Sequence, residues 1–260
     1  KGASYAEAKF QSIEANSFLV KNNALDLSSF DEVKGIGIRF LYHGAMGFFS
    51  TNILEKAKIL SRVNEALARV KLTKKSEKVE FSEEKAHAAR YEAKQKIKLQ
   101  DTGPDEKIGL LFEAEKLMRS VKAGLASTCL SYHDNTEESY YVNSDGSRIQ
   151  SKIPRVAVEY IISTKMNEKL SQRCWAYGGT GGFEAVRNLD IPEILKREVE
   201  AMSANLKHGK KCPKKVMDVI VGPQVAGIIA HESCGHPHEA DRIFGREAAQ
   251  AGESFISRKM

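Results

Sequence analysis

The segment His231-Glu232-Ser233-Cys234-Gly235-His236 constrains this chain more than any other stretch of its sequence. Two neutral imidazoles can hold a zinc ion, and a neighbouring carboxylate can take a proton from metal-bound water. Histidines four positions apart lie about 40° apart around an α-helix, whereas five positions place them about 140° apart. If His231 and His236 hold one metal, the helix must therefore widen into a π-type turn or stop between them.

Two residues of the segment are expected to help this distortion. Gly235 tolerates an unusual backbone conformation, and Pro237 disfavours helical geometry at His236. His238 is the geometric rival of His236, because it lies seven positions from His231, about 20° away on an ideal helix. Pro237 weakens that alternative, since a helix rarely continues through proline.

The sequence does not decide the roles of three further side chains near the motif. Glu239 and Asp241 either orient a ligand imidazole or lie on the surface as solvated charges. Cys234 is a possible ligand, but a packed thiol is the commoner fate of a single cysteine on an apolar helix. We therefore expect Cys234 to be packed.

The composition is that of an ordinary globular protein. The chain has 260 residues, with 42% apolar and 28% charged residues, which suits one large or two modest domains. Its net charge of +6 comes largely from 71–98 and 207–215, where aromatics do not alternate with basic residues as they do in single-strand binders. We expect a solvated charged surface and no nucleic-acid partner, with a basic nucleic-acid binder kept as a rival interpretation.

The composition also indicates in which cellular compartment the protein is expected. No apolar run reaches the roughly 18–20 residues of a membrane span, so no membrane partner is expected. No signal peptide is recognisable. The four cysteines are widely spaced and form no CxxC pair, which favours cytoplasmic thiols over a disulfide framework.

Periodicity predicts an α+β fold in which antiparallel sheets pack against helices, with the motif on a helix that follows a buried strand. Strands are expected at 17–22, 35–42, 124–132, 139–143, 148–164 and 216–221, and 5–14 is ambiguous. Helices are expected after Thr51 or Asn52, from Pro104, over 192–206 and from Pro223. The apolar stripe from Ile53 to Val70 is expected to pack in the core.

The first helix is followed by a charged segment, 71–98, which reads as a linker or an exposed helix. Pro154 is expected at a sheet edge or a bulge. The loop 178–182 lacks a phosphate-binding pattern, so a hinge or a close backbone approach is expected there. We predict an N-terminal α+β domain over 1–206 and the start of a metal-site domain over 207–260, whose remainder belongs to a longer polypeptide.

The motif resembles that of the TldD/PmbA family of metalloproteases, in the segment 231–236 and in Glu239-Ala240-Asp241. The resemblance extends to Gly181-Gly182-Phe183-Glu184, to the turn 143–146, and to the opening segments that contain Tyr5-Ala6-Glu7 and Gly35-Ile36-Gly37-Ile38-Arg39. It covers most of the chain, and the HExxxH motif is its specific part.

The resemblance implies a zinc peptidase that acts on unfolded or extended peptides. His231 and His236 match the Zn²⁺ ligands, and Glu232 matches the water-activating base. The third ligand in the family is a cysteine in the C-terminal half, and none of the four cysteines here is given that role. A homodimer, or a heterodimer with a PmbA-like subunit, is implied.

The sequence leaves one condition on the peptidase activity and one rival function. This chain alone, as part of a longer protein, is not expected to cleave. The rival from another class is a non-catalytic peptide-binding or partner subunit, in which the histidines bind metal structurally or not at all.

Overall fold

The computed structural model describes residues 2–72, 79–246 and 252–253. The chain divides into two compact units, Lys1–Gly209 and Lys210–Met260. The first contains a large β-sheet with helices packed on it, and the second contains the motif.

One seven-stranded sheet organises the first unit. Within the described residues, its strands are β1 (Tyr5–Lys21), β2 (Ala24–Tyr42), β3 (Ala45–Thr51), β4 (Ala88–Glu92), β5 (Leu125–Asn143), β6 (Arg148–Met166) and β7 (Lys169–Thr180). Their order across the sheet is β3-β2-β1-β5-β6-β4, and β7 also pairs with β6. All pairs are antiparallel except β4 with β6.

In the described part of the chain, five α-helices accompany the sheet and the motif. They are α1 (Lys56–Leu72), α2 (Pro104–Ser120), α3 (Glu184–Arg187), α4 (Ile191–His208) and α5 (Pro223–Ala230). The predicted α+β class, with a largely antiparallel sheet and packed helices, is confirmed. None of the helices in the described part of the chain is long and apolar enough to cross a membrane.

The core lies between the sheet and the helices α2 and α4. The predicted stripe of α2 is buried at Leu111, Ala114 and Met118. Alternate strand residues face these helices, since successive side chains of a strand point to opposite faces. Fully buried members of this cluster include Leu130, Tyr132, Val158, Ile162, Leu195, Val199 and Met202. Each buried side chain of this size contributes about 1.5–3 kcal/mol.

The stripe of α1 differs from its prediction. Leu67 is buried, but Ile53 and Leu60 are 47% and 46% exposed, so core packing of the whole stripe is wrong. The helix also begins at Lys56, four or five residues after the expected cap. It packs on the edge strand β3, and its buried residue, Leu67, lies in its second half.

The described residues of the segment 71–98 form neither a linker throughout nor one exposed helix. Leu72 ends α1, and β4 lies within the segment, paired in parallel with Arg148–Lys152 of β6. Residues 73–78 lie outside the described part. The strand was not predicted because its five residues are all exposed and lie in a highly charged segment without apolar alternation.

The glycine loop behaves as the sequence indicated, but Pro154 lies in the interior strand β6, in register with Thr136 and without a bulge. A Cβ atom on Gly182 would lie 1.9 Å from the carbonyl oxygen of Ile97, and one on Gly178 would lie 2.3 Å from that of Val156. The predicted close backbone approach is therefore present. Pro154 lies between the part of β6 that pairs with β4 and the part that pairs with β7. A missing N–H costs little there, because neither strand pairs with that position.

The second unit lacks the strand predicted over 216–221. This segment has no regular secondary structure, and Val216 and Ile220 are fully exposed. A strand needs a neighbour to satisfy its backbone groups, and within the described residues none pairs with this segment. The predicted buried strand before the motif helix is therefore wrong for this structure.

Candidate metal centre

The motif follows α5 without a break. The helix starts at Pro223, as predicted, where the missing N–H of proline costs nothing. His231–Gly235 then form a π-helical turn, and the N–H of His236 donates to the carbonyl oxygen of His231 five residues earlier. The widening required by the spacing of the histidines is present.

The turn brings the two imidazoles into contact. The ring centroids of His231 and His236 are 4.4 Å apart, with an angle of 86° between the ring planes. One donor atom from each of His231, Glu232 and His236 lies within 4.8 Å of the others. These are the three residues that the sequence nominated.

Glu239 orients the ring of His236. Its Oε1 atom lies 2.7 Å from Nδ1 of His236, and its Oε2 atom pairs with Nε of Arg242. Because Nδ1 is used in this contact, Nε2 of His236 is the nitrogen left for a metal. Of the two roles left open for Glu239, the structure shows the orienting one.

Arg242 was missed by the sequence reasoning. Its signal was an acidic residue three positions before an arginine, a spacing that brings the side chains together on a helical turn. Asp241, by contrast, accepts a hydrogen bond from the backbone N–H of Arg242.

The remaining motif residues lie outside the donor group. Nδ1 of His238 contacts the carbonyl oxygen of Cys234, so this ring is engaged with the backbone. Cys234 is an exposed free thiol, and the expectation that it packs is wrong. All four cysteines are free.

The backbone reasons given for the distortion need correction. Gly235 has φ −68° and ψ −71°, and His236 has φ −58° and ψ −42°. Both values are right-handed helical, so no glycine-only conformation is needed, and Pro237 does not push His236 out of the helix. Pro237 instead lies in a 3₁₀ turn, His236–His238, and the helix ends at the extended Glu239.

The donor set fits zinc. Imidazole nitrogens of His231 and His236 are ligands found in catalytic zinc sites, and two nitrogens on one tetrahedral ion lie about 3.3 Å apart. The observed limit of 4.8 Å between donor atoms is close enough for small side-chain rotations to bring them to one ion. His231 and Glu232 are exposed and His236 is half-buried, so within this unit the group is open to water.

An antiparallel α+β unit, followed in the chain by a helix with two histidines and a glutamate, defines a candidate metal-dependent hydrolase. Matches to two family models identify the particular family within this class. The PmbA/TldA metallopeptidase domain 1 matches residues 6–70, and the PmbA/TldA metallopeptidase central domain matches residues 97–206. This chain belongs to the TldD/PmbA family.

Curated relatives agree. A metalloprotease of Methanocaldococcus jannaschii is 28% identical over 246 residues, which are 94% of this chain and 53% of that protein. A zinc metalloprotease TldD homologue of Saccharolobus solfataricus is 24% identical and covers 98% of this chain and 56% of its own length. The chain therefore spans about half the length of the curated relatives it matches.

A solved structure shares the fold. The crystal structure of TldE from Thermococcus kodakarensis superposes with a TM-score of 0.65 at 18% identity, and covers 76% of this chain and 44% of its own. At this identity the match carries the fold alone.

Proposed function

We propose that the full-length protein is a cytoplasmic zinc-dependent peptidase acting on unfolded or extended peptides. The observation that supports this most is the π turn, which brings donor atoms of His231, Glu232 and His236 within 4.8 Å of one another. The printed name of the Saccharolobus solfataricus relative, a zinc metalloprotease, supports zinc as the metal.

In this proposal, His231 and His236 hold the zinc through ring nitrogens. Glu239 keeps the ring of His236 in place through Nδ1, so that Nε2 faces the ion. Catalytic zinc usually takes three protein ligands. The family resemblance supplies the third as a cysteine in the C-terminal half of the longer protein.

Glu232 is the proposed general base. When bound, zinc would polarise the scissile carbonyl and acidify the attacking water. The carboxylate of Glu232 accepts the proton of that water and passes it to the leaving amine. Its side chain is 63% exposed and its Oε2 lies 4.0 Å from Nε2 of His236, so it stands beside the nitrogen that would face the ion.

Substitution of Glu232 tests this role in the full-length protein. Glu232→Gln keeps the size of the side chain but cannot accept the proton. We expect it to retain zinc and to lose at least about 100-fold in cleavage of denatured, fluorescently labelled casein. Glu200→Gln, at an exposed position of α4, is the matched control and should cleave normally. Cleavage by Glu232→Gln at the wild-type rate would contradict the proposed mechanism.

We also propose a dimeric assembly, either of two copies or with a PmbA-like subunit. The support is the family membership, together with the TldE name of a protein with the same fold. Light scattering of the full-length protein, alone and mixed with such a subunit, tests it. A monomeric mass in both samples would contradict it.

A further inference from the structure

The carboxylate of Glu239 is held at both of its oxygen atoms. Its Oε1 lies 2.7 Å from Nδ1 of His236, and its Oε2 lies 2.5 Å from Nε of Arg242. The three side chains therefore form one chain of polar contacts, in which Glu239 lies between Arg242 and the imidazole of His236. A group at the far end of such a chain can influence a metal ligand without touching it.

The backbone places Arg242 three residues after Glu239, on a new helical turn. Glu239 itself is extended, with φ −66° and ψ 115°. The chain turns again directly afterwards, because the N–H of Ile243 donates to the carbonyl oxygen of Glu239 at 3.1 Å. Side chains three positions apart on such a turn are neighbours. The same change of direction that ends the motif helix thus brings Arg242 to the carboxylate.

A glutamate with a single contact would hold the imidazole of His236 only loosely. The last side-chain torsion of glutamate joins an sp³ carbon to an sp² carbon, and such torsions have broad minima. The contact of Oε2 with Arg242 limits rotation of the carboxylate about that bond. Oε1 is thereby kept where it meets Nδ1 of His236.

Arginine suits this task better than lysine does. Its guanidinium group is planar, always charged, and carries its donors in a fixed arrangement. A contact through Nε therefore constrains the carboxylate of Glu239 in direction as well as in distance. A lysine ammonium would attract the carboxylate as a point charge, without that directional constraint.

The ion pair between Arg242 and Glu239 contributes little to folding by itself. The two side chains are 28% and 38% exposed, and water and salt screen ion pairs at such positions. Loss of Arg242 should therefore change the position of the Glu239 carboxylate far more than it changes the stability of the fold. This difference separates a positioning role from a structural one.

We propose that Arg242 is a positioning residue of the metal centre and that it acts on His236 only through Glu239. Arg242 directs the carboxylate, the carboxylate directs the imidazole, and Nε2 of His236 is left for the metal in one fixed orientation. The inference rests on the proposed function, since it concerns the zinc site assigned to His231 and His236.

A double-mutant cycle of Arg242 and Glu239 tests the proposal in the full-length protein. Arg242→Met keeps most of the length of the side chain and removes its donors, and Glu239→Ala removes the carboxylate. The zinc affinities of wild type, both single variants and the double variant are measured by competition with a chromogenic chelator. Unfolding midpoints of the metal-free proteins show that each variant is folded. Arg242→Ala is carried through the same cycle as a second variant and is judged by the same criteria.

A second arginine offers a matched control. Nε of Arg197 lies 3.5 Å from Oε1 of Glu193 in α4, within the first unit. Arg197→Ala removes a comparable exposed pair of arginine and glutamate that has no contact with the motif. It should bind zinc as wild type does.

We expect Arg242→Met to bind zinc about five- to tenfold more weakly than wild type, with an unchanged unfolding midpoint of the metal-free protein. When residue Glu239 is already replaced by alanine, the same substitution should change the zinc affinity by less than about twofold. The reason is that the carboxylate through which Arg242 acts is then absent.

Two results would overturn the proposal. The first is wild-type zinc affinity in the folded Arg242 variants. The second is an equal loss of zinc affinity from the Arg242 substitution with and without the Glu239 carboxylate. An equal loss would show that Arg242 affects the metal independently of Glu239, as a general structural role or a long-range effect of its charge would.

The same measurement separates this inference from the proposed function, because zinc affinity is determined without substrate. If wild type binds zinc but does not cleave casein, the peptidase assignment fails, and the cycle still decides the role of Arg242. If wild type cleaves casein and the two substitutions act independently on zinc affinity, the peptidase assignment survives and the role of Arg242 fails.

Discussion

Oε1 of Glu239 lies 2.7 Å from Nδ1 of His236, three residues earlier in the chain. The contact is made across a helix end, where the backbone of Glu239 becomes extended. It fixes which ring nitrogen is available, because a hydrogen-bonded Nδ1 leaves Nε2 for a ligand. The end of the helix at His238 therefore contributes to the arrangement of the group together with the π turn.

Loss of this contact should weaken metal binding. Removal of a group that orients a ligand imidazole typically costs 10- to 100-fold in metal affinity. We expect about that loss for Glu239→Ala in the full-length protein, measured by zinc competition with a chromogenic chelator. Asp241→Ala serves as the control and should stay within about threefold of wild type. Equal losses in both variants would show that charge, and not orientation, governs affinity.

Glu184 should make the first unit sensitive to acid. Burial raises the pKa of Glu184, but hydrogen bonds from the backbone N–H groups of Lys96, Ile97 and Gly182 lower it by more, so that the pKa is about 2. A carboxyl group whose pKa is lowered by folding stabilises the fold above its unfolded pKa of 4.5. That contribution disappears as pH falls from about 5 towards 2.

The variant Glu184→Gln isolates this contribution. At pH 7 it should unfold at lower urea concentration than wild type, because a neutral amide accepts these hydrogen bonds more weakly. The gap between the two midpoints should narrow steadily below pH 5. A gap that is constant between pH 7 and pH 3 would contradict the lowered pKa of Glu184.

The close backbone approach at Gly182 predicts that alanine destabilises the fold much more at Gly182 than at Gly179. Gly182→Ala places a Cβ 1.9 Å from the carbonyl oxygen of Ile97, so backbone must move, at a cost of about 1–3 kcal/mol in the free energy of unfolding. A Cβ on Gly179 meets nothing within 4 Å. Gly179→Ala should therefore be within about 0.5 kcal/mol of wild type in urea unfolding. Similar costs for both would refute the steric explanation.

A buried ion pair gives another stability test. Nζ of Lys107 lies 2.6 Å from Oδ2 of Asp134, and both side chains are 3% exposed. Tyr132 and Asn16 also donate to this carboxylate. Lys107→Met leaves a buried charge without its cation and should cost about 3–5 kcal/mol in urea unfolding. The double variant Lys107→Met, Asp134→Asn should be more stable than the single one, and a lower stability would contradict this account.

The π turn was predictable because the two histidines whose spacing requires it lie within the turn or directly after it. The five-residue spacing of His231 and His236 requires a wider turn than an α-helix provides, and the structure has one. The contact between Glu239 and His236 could not be predicted from the sequence, because it depends on where the helix ends. Helices α2 and α4 were predictable from their apolar periodicity and their prolines.

The length of the strands was harder to predict. The middle of β5, from Asp134 to Glu138, is polar on both faces, so its two halves were predicted as separate strands. Cross-strand contacts explain its continuity, because Glu137 pairs with Arg155 and Lys9 and accepts a hydrogen bond from Gln11. Such pairs stabilise a sheet without apolar alternation, and they join residues that are distant in sequence.

The zinc content of the full-length protein tests the central claim most directly. Inductively coupled plasma mass spectrometry of wild type, His236→Ala and His238→Ala compares two histidines that lie two residues apart. We predict about one zinc per chain for wild type and His238→Ala, and a several-fold lower content for His236→Ala. Full zinc occupancy in His236→Ala, or a loss confined to His238→Ala, would contradict the assignment of the metal to the π turn.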